Sequence, residues 1–397
     1  MRLQIGNFRS IENQELELAP ITVVYGPNSS GKSTLLYALP TLRNVVLNSN
    51  QKVDGFFNYE FINLGGFRQI VFDHNENNEV VLGITRQGEA ATVTYRVVVG
   101  RGNEGRFSLS IREFDGFNAD LNLDVEFPYP ANRDTQHTLG NFEINWDGIT
   151  ARVHAEAEHQ DQGNELLDIL HDPVETLRRI AIVPLKRGFS RPNYSPQSVP
   201  PIPVREEELA ALLSDEKYLV SRVSYYLEQT LGRDFRVNSR PGTGVFSLDA
   251  TDRETGVASE LVNEGFGVNQ LVYLFALCLH SDTELVCIEE PEVHLHPSAV
   301  RQVARAFVQI VREEGKRFLI STHSESFVLA LLTLVAQGTL DPSQLAFYLA
   351  QKDRKSTKFE PQVVNEDGQI EGGLASFMAG EIEDIGAFFA STVDPTE

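Results

Sequence analysis

Ile21-Thr22-Val23-Val24-Tyr25-Gly26-Pro27-Asn28-Ser29-Ser30-Gly31-Lys32-Ser33-Thr34-Leu35-Leu36-Tyr37-Ala38-Leu39 contains, in order, an apolar strand, a glycine loop and an apolar helix. Gly26 to Ser33 fits G-x-x-x-x-G-K-[ST], whose glycines let the backbone turn its N–H groups inward toward phosphates. In that pattern Lys32 neutralises the terminal phosphates, and the Ser33 hydroxyl is the expected Mg²⁺ ligand. The helix that follows adds positive potential at its start, where an anion sits. Strand before and helix after are the context that separates such a loop from a chance match.

Downstream, Leu285-Val286-Cys287-Ile288-Glu289-Glu290-Pro291 is an apolar run closing on two carboxylates. At the end of a strand in a parallel sheet these acids would face the phosphate loop. Glu289 then suits the Mg²⁺ side, and Glu290 suits the water that attacks a terminal phosphate. Arg317-Phe318-Leu319-Ile320-Ser321-Thr322-His323-Ser324 is a second apolar run with a polar end. Between them Val300, Val303, Ala304, Phe307, Ile310 and Val311 fall three and four apart, the spacing of an amphipathic crossover helix. Both strand ends then share one rim, where His323 can sense the terminal phosphate. Upstream, Asn263-Glu264-Gly265-Phe266-Gly267-Val268-Asn269-Gln270 opens an apolar helix with two glycines at its start.

The order of these motifs matters, because 257 positions separate Lys32 from Glu289 and the glycine turn comes just before the acidic strand. This order resembles ABC-type ATPases. Asn7-Phe8-Arg9-Ser10, the loop Tyr25–Ser33, Gly265–Gln270 and Glu289-Glu290-Pro291-Glu292-Val293-His294-Leu295-His296-Pro297 resemble the OLD-like and RecF/SMC-like branch of that group. The likeness covers roughly residues 1–75 and 255–330, and the middle matches loosely, mainly at Pro184-Leu185-Lys186-Arg187-Gly188.

The resemblance implies an α/β fold: a P-loop ATPase head with a mixed or parallel core sheet, an antiparallel β meander and a helical lobe. It implies ATP and Mg²⁺ as cofactors, with nucleotide contacts at Arg9, Gly26, Pro27, Asn28, Ser29, Ser30, Gly31, Lys32, Ser33 and Thr34. Gly265, Gly267 and Asn269 would touch the nucleotide of a second copy, so that two sites form when two heads meet. Glu290, His323 and Lys32 would carry hydrolysis. Ser33 and Glu289 would hold the metal, with Gln69 in the Asn63–Gln69 stretch as a third candidate. His294 and His296 would lie at the dimer seam; a metal site on that His-x-His is the competing reading, without further ligands at zinc spacing. Glu289 stands where most ABC proteins have Asp, which suits the OLD-like branch. About 70 residues follow His323, too few for the Toprim nuclease domain of OLD proteins.

Along the chain the expected units are 1–75, the first part of the ATPase core; 76–160, an antiparallel β insertion; and 161–255, a helical and loop lobe. They continue with 256–345, the rest of the core, and 346–397, an acidic extension. Alternating residues from Glu79 to Phe127, continuing through Phe142–His154, predict one meander. Helices are expected over 164–181 and 205–231, and a hairpin over Phe235–Ala250. No heptad run is present, which argues against long coiled coils.

A net charge of −22 on 397 residues opposes unaided wrapping of a polyanion. A local basic patch at Lys186, Arg187 and Arg191 is the exception to consider. From residue 359 onward stand nine acids (Glu360, Glu366, Asp367, Glu371, Glu381, Glu383, Asp384, Asp394, Glu397) and no Lys or Arg beyond Phe359, either a solvated face or a dock for a basic partner. The two cysteines, Cys278 and Cys287, sit in apolar runs and suit a reducing compartment, with the cytoplasm expected. There is no apolar run of membrane-spanning length, and because Met1–Ile5 runs straight into a strand-like pattern no signal peptide is expected. Three functions fit: an ATPase switch or scaffold that self-associates and controls a separate effector such as a nuclease in anti-phage defence; a RecF-like, ATP-gated DNA-binding repair protein; and an ATP-dependent nuclease subunit.

Overall fold

The computed structural model describes residues 1–371, apart from 103, 113, 115–119, 129–134 and 241. The elements in order are Arg2–Phe8 (β1), Ile11–Glu17 (β2), Ile21–Tyr25 (β3), Lys32–Leu47 (α1), Phe67–Ile70 (α2), Val80–Gln87 (β4), Thr92–Val99 (β5), Gly105–Arg112 (β6) and Leu121–Phe127 (β7). Next come Thr135–Leu139 (β8), Phe142–Trp146 (β9), Ala151–Ala155 (β10), Gln160–Arg178 (α3), Ile180–Val183 (β11), Glu206–Asp215 (α4), Lys217–Leu231 (α5), Arg233–Arg240 (β12), Val245–Asp252 (β13) and Ala258–Glu260 (β14). The rest are Phe266–Leu279 (α6), Leu285–Glu289 (β15), Pro297–Glu314 (α7), Arg317–Thr322 (β16), Glu325–Ala336 (α8), Leu345–Asp353 (β17) and Ser356–Gln362 (β18).

The central sheet has the order β11-β15-β16-β3-β17-β18, parallel throughout except for β18. A parallel sheet is covered on both faces, so its strands read as unbroken apolar runs. Accordingly all five residues of β3 are buried. Successive residues feed opposite layers, as the pleat requires. Ile21, Val23 and Tyr25 join a core with α5 to α8, whereas Val24 joins a core with α1 and the antiparallel sheet β2-β1-β4-β5-β6-β7. The crossover helix α7 buries Val300, Val303, Ala304, Phe307, Ile310 and Val311, the stripe anticipated from spacing. It ends at Gly315, whose φ of 64° is the left-handed stop that favours glycine.

The structure corrects three expectations of organisation. The meander stops at β7; β8 to β10 form a separate antiparallel sheet against α3. Leu121, Leu123, Val125 and Phe127 bury the same core as Phe142, Ile144 and Trp146, and alternation reports a buried face without reporting the neighbouring strand. The stretch expected as a helical lobe contains β11, an edge strand of the central sheet, too short at four residues to announce itself after α3. The expected extension from 346 begins inside the core, because β17 lies parallel to β3 with Leu349 opposite Tyr25. Of the nine late acids, Glu381, Glu383, Asp384, Asp394 and Glu397 lie outside the described residues.

Phe307 is fully buried and stacks on Phe318 with ring centroids 4.7 Å apart, clamping α7 to β16. Phe307→Ala is expected to lower stability by about 3–5 kcal/mol in urea denaturation, the cost of removing a buried aromatic side chain.

Candidate functional site

The site grows from the end of β3. Gly26 has φ +143°, and a Cβ there would lie 2.5 Å from the Ala350 carbonyl oxygen of β17, so only glycine fits. Gly31 has φ +99° and would drive a Cβ to 2.4 Å from Thr357 Oγ1. The loop between them bends back on itself, and the Lys32 ammonium donates to the carbonyls of Gly26 (2.8 Å) and Pro27 (3.0 Å). Burial holds that ammonium below the ordinary lysine range, opposed by Glu290, Glu292 and Glu289. Helix α1 starts without a side-chain cap, and the Ser30 hydroxyl is buried with no partner. An uncapped 16-residue helix beside an orphaned hydroxyl is a cradle that fits a polyphosphate.

Parallel pairing brings the other motifs to this rim. Thr322 of β16 lies opposite Tyr25 of β3, and Glu289 of β15 lies opposite Ser321. The Ser33 hydroxyl donates to Glu289 Oε1 at 2.6 Å, and the Tyr37 phenol donates to Oε2 at 2.9 Å. Burial, strengthened by the Glu289 charge, pushes the Tyr37 phenol up, so it remains a donor. A hydroxyl and one carboxylate side by side suit Mg²⁺, which takes few protein ligands and completes its shell with water and phosphate oxygens. Glu290 turns the chain with φ +44°, an unfavourable region for a non-glycine residue and one that recurs at functional sites. Its Oε1 stands 3.0 Å from His323 Nδ1.

Arg9, Asn28, Ser29, Ser30, Gly31, Lys32, Ser33, Thr34, Gln69 and Glu290 line one cavity of about 650 Å³. Ser10, Asp73, His74, Lys352, Arg354 and Lys355 complete much of its wall. No residue of the glycine turn lines it. Gly265 and Phe266 instead open α6 to solvent: Phe266 is 73% exposed, and a Cβ on Gly265 would meet nothing within 4 Å. Asn269, expected at the nucleotide, is turned inward. Its amide accepts from Phe189 N at 2.7 Å and donates to Phe189 O at 2.8 Å, so it holds the Pro184–Pro203 loop instead. The physical reason is position: Asn269 lies on the buried flank of α6, one turn past its open end. His296 caps α7 through Ser298, and among the described residues no group of three or more His, Cys, Asp and Glu side chains is placed to hold a metal. His294 packs beside Phe266, ring centroids 5.2 Å apart.

Sequence reading missed three supports. Arg187, noted in the loosely matching Pro184–Gly188 stretch and in a possible basic patch, points inward and donates to the carbonyls of Pro184 (2.9 Å), Glu289 (2.7 Å) and Glu290 (2.8 Å). Burial pushes it down to about 10. Arg191 is spent on Glu207 at 2.6 Å, so the supposed patch is not a free basic surface. Glu292 accepts from the Thr322 hydroxyl (2.6 Å) and from His323 N (3.1 Å), fixing the histidine's backbone; burial pushes its carboxyl up. The Tyr37 contact to Glu289 is the third. Pattern alone could flag Glu292 as a third acid in Glu289-Glu290-Pro291-Glu292, but nothing local aims Arg187 at a strand end.

Arg187→Lys replaces a fork with a single point of charge that cannot reach three carbonyls. It is expected to cost about 1.5–3 kcal/mol in thermal unfolding for the charged hydrogen bonds lost, and to leave ATP binding, read by titration calorimetry, within a few-fold of wild type.

Among curated proteins, the chain is 25% identical over 375 residues to "OLD nuclease" of Thermus scotoductus, covering 89% of this chain and 65% of that one. The chain therefore spans slightly under two thirds of that relative's length. Among solved structures, an SMC head bound to the C-terminal winged-helix domain of ScpA aligns with a TM-score of 0.53 at 13% identity, covering 92% of this chain and 98% of that one. The SMC head domain from Thermotoga maritima aligns over 91% of this chain and 97% of its own length at 11% identity, with a TM-score of 0.46. The likeness to the ScpA-bound SMC head shows the fold to be that of an ABC-type head of the SMC kind, as the motif order implied. The family model described as "AAA domain, putative AbiEii toxin, Type IV TA system" matches residues 21–330, and the chain belongs to that AAA-domain family.

Proposed function

We propose that this protein binds and hydrolyses ATP at composite sites formed between two copies, and that the closed state controls a separate effector. The observation that carries the reading is the meeting of Ser33 with Glu289 (2.6 Å) beside the Glu290–His323 pair (3.0 Å), four residues drawn from three parallel strand ends. Phosphoryl transfer needs positioning and charge stabilisation more than covalent help. Lys32 and the open N–H groups of α1 bind the phosphates, and Ser33 and Glu289 are the residues suited to hold Mg²⁺. Bound Mg²⁺ would neutralise charge on the phosphate oxygens. Glu290 accepts a proton from the attacking water, and His323 orients Glu290 and the terminal phosphate. The second copy is needed because the glycine turn at Gly265–Gly267 offers helix N–H groups to solvent and none of its residues lines the phosphate-loop cavity of its own chain.

The likeness to OLD-type proteins and the acidic charge support a protein-facing switch in anti-phage defence, and the two buried free thiols suit the cytoplasm. No helix among the described residues is long and apolar enough to cross a membrane. The name of the Thermus relative favours a second reading, in which the assembly containing this chain cleaves DNA. Co-purification from the native host, followed by a plasmid-cleavage assay with ATP and Mg²⁺, tells the two apart: cleavage by this chain alone would replace the separate effector.

Glu290→Gln should bind ATP, lose about 10²–10⁴-fold in phosphate release, and elute as a dimer in the presence of ATP. Wild-type turnover in that variant would remove Glu290 from its role. Lys32→Ala and Gly265→Glu should each be inactive alone, the second because a carboxylate at the helix start repels phosphate. Mixing the two chains should restore phosphate release, since one composite site of the mixed dimer is intact. A mixture as inactive as its components would mean that each head works by itself.

A further inference from the structure

The β17–β18 hairpin reaches the nucleotide cavity, although nothing in the motif pattern pointed to it. Lys352, Arg354 and Lys355 all line that cavity. The lining holds five cations, Arg9, Lys32 and these three, against the two carboxylates of Asp73 and Glu290, within a chain of net charge −22. Locally the field is inverted, which is what a polyanionic ligand requires.

The hairpin is fastened in place. Lys355 Nζ contacts both carboxylate oxygens of Asp73 at 2.8 Å. Thr357 Oγ1 donates to Ser10 Oγ at 2.8 Å, and Thr357 N donates to the Ser10 carbonyl at 2.6 Å. Thr357 also packs against Gly31 of the phosphate loop. With Lys355 committed to Asp73, Lys352 and Arg354 remain exposed, and neither side chain has a hydrogen-bond or ion-pair partner among the described residues.

The turn itself is unusual. Asp353 pairs with Ser356, leaving Arg354-Lys355 as a two-residue turn, and Arg354 sits at φ +55°. Such turns are dominated by Asn, Asp and Gly, which tolerate positive φ. Two cations hold the place instead, at some backbone cost, and an outlier of this kind points toward function.

Strand order says which part of the ligand they meet. Glu289, Glu290 and His323 come from β15 and β16 on one side of β3, whereas the hairpin stands on the other side. With the terminal phosphate directed toward Glu290, the opposite side receives the α-phosphate end. We infer that Lys352 and Arg354 form a subsite for the α-phosphate end of the nucleotide, contributing to binding and not to the hydrolytic step. This rests on the ATP-site reading above.

The test is Lys352→Gln/Arg354→Asn, measured for ATP and ADP affinity by titration calorimetry and for steady-state ATP turnover. Asn suits positive φ, so the melting temperature should not fall. The expected result is about tenfold weaker binding of both ATP and ADP and a raised KM, with kcat within about twofold of wild type. Loss for ATP alone would move the contact to the terminal phosphate and overturn the assignment, and unchanged affinity for both would overturn it outright. If the unaltered protein binds neither nucleotide, the ATP-site reading falls and takes this inference with it. If the unaltered protein binds both and the double variant binds equally well, the subsite alone falls.

Discussion

The hydrogen bond from Ser33 to Glu289 joins residues 256 apart in the chain. It forms because β3, β16 and β15 run parallel and in register, so that three chain segments end level on one rim. Parallel strands cannot be joined by a tight turn. The long intervening chain is therefore spent on the antiparallel sheet, on α3 to α5 and on the crossover α7. Those layers bury the faces of the central sheet, and burial keeps its strands aligned. A slip of one residue at β15 would exchange the two layers fed by Val286 and Cys287 and move Glu289 off Ser33.

Gathering so much charge at a strand end requires compensation, since unpaired buried charge is costly. Arg187 answers the carbonyls of Glu289 and Glu290, and Glu292 answers Thr322 and the backbone of His323. Lys32 is held on the carbonyls of its own loop. These contacts leave the Glu290 and His323 side chains facing one another with few other tasks. The open start of α6 has the opposite character: exposed, uncapped and without a ligand from its own chain. None of its residues lines the phosphate-loop cavity of the same head.

Legibility followed the range of the interaction. The phosphate loop, the Glu289–Glu290 pair, His323 and the stripe on α7 are local patterns, and each was readable from a few neighbouring residues. The inward turn of Asn269 was not legible, because spacing cannot tell the open end of α6 from its buried flank. The inward role of Arg187 was not legible, because only the folded chain puts it behind β15. The β17–β18 hairpin was hidden by the acidic run that begins at Glu360, although Lys352, Arg354 and Lys355 precede it.

What the amino-acid order determined alone is the chemistry: a glycine loop that must bend, a lysine and serine after it, carboxylates after an apolar strand, and their sequence along the chain. These follow from steric freedom, charge and periodicity, which act over a few residues. The tertiary structure decided which groups meet. It set Ser33 on Glu289, turned Asn269 inward, hid Arg187 beneath the acids and laid a cationic hairpin beside the phosphate loop. Those outcomes depend on strand order and layer packing, which arise from burial summed over the whole chain and leave no mark in any short stretch of it.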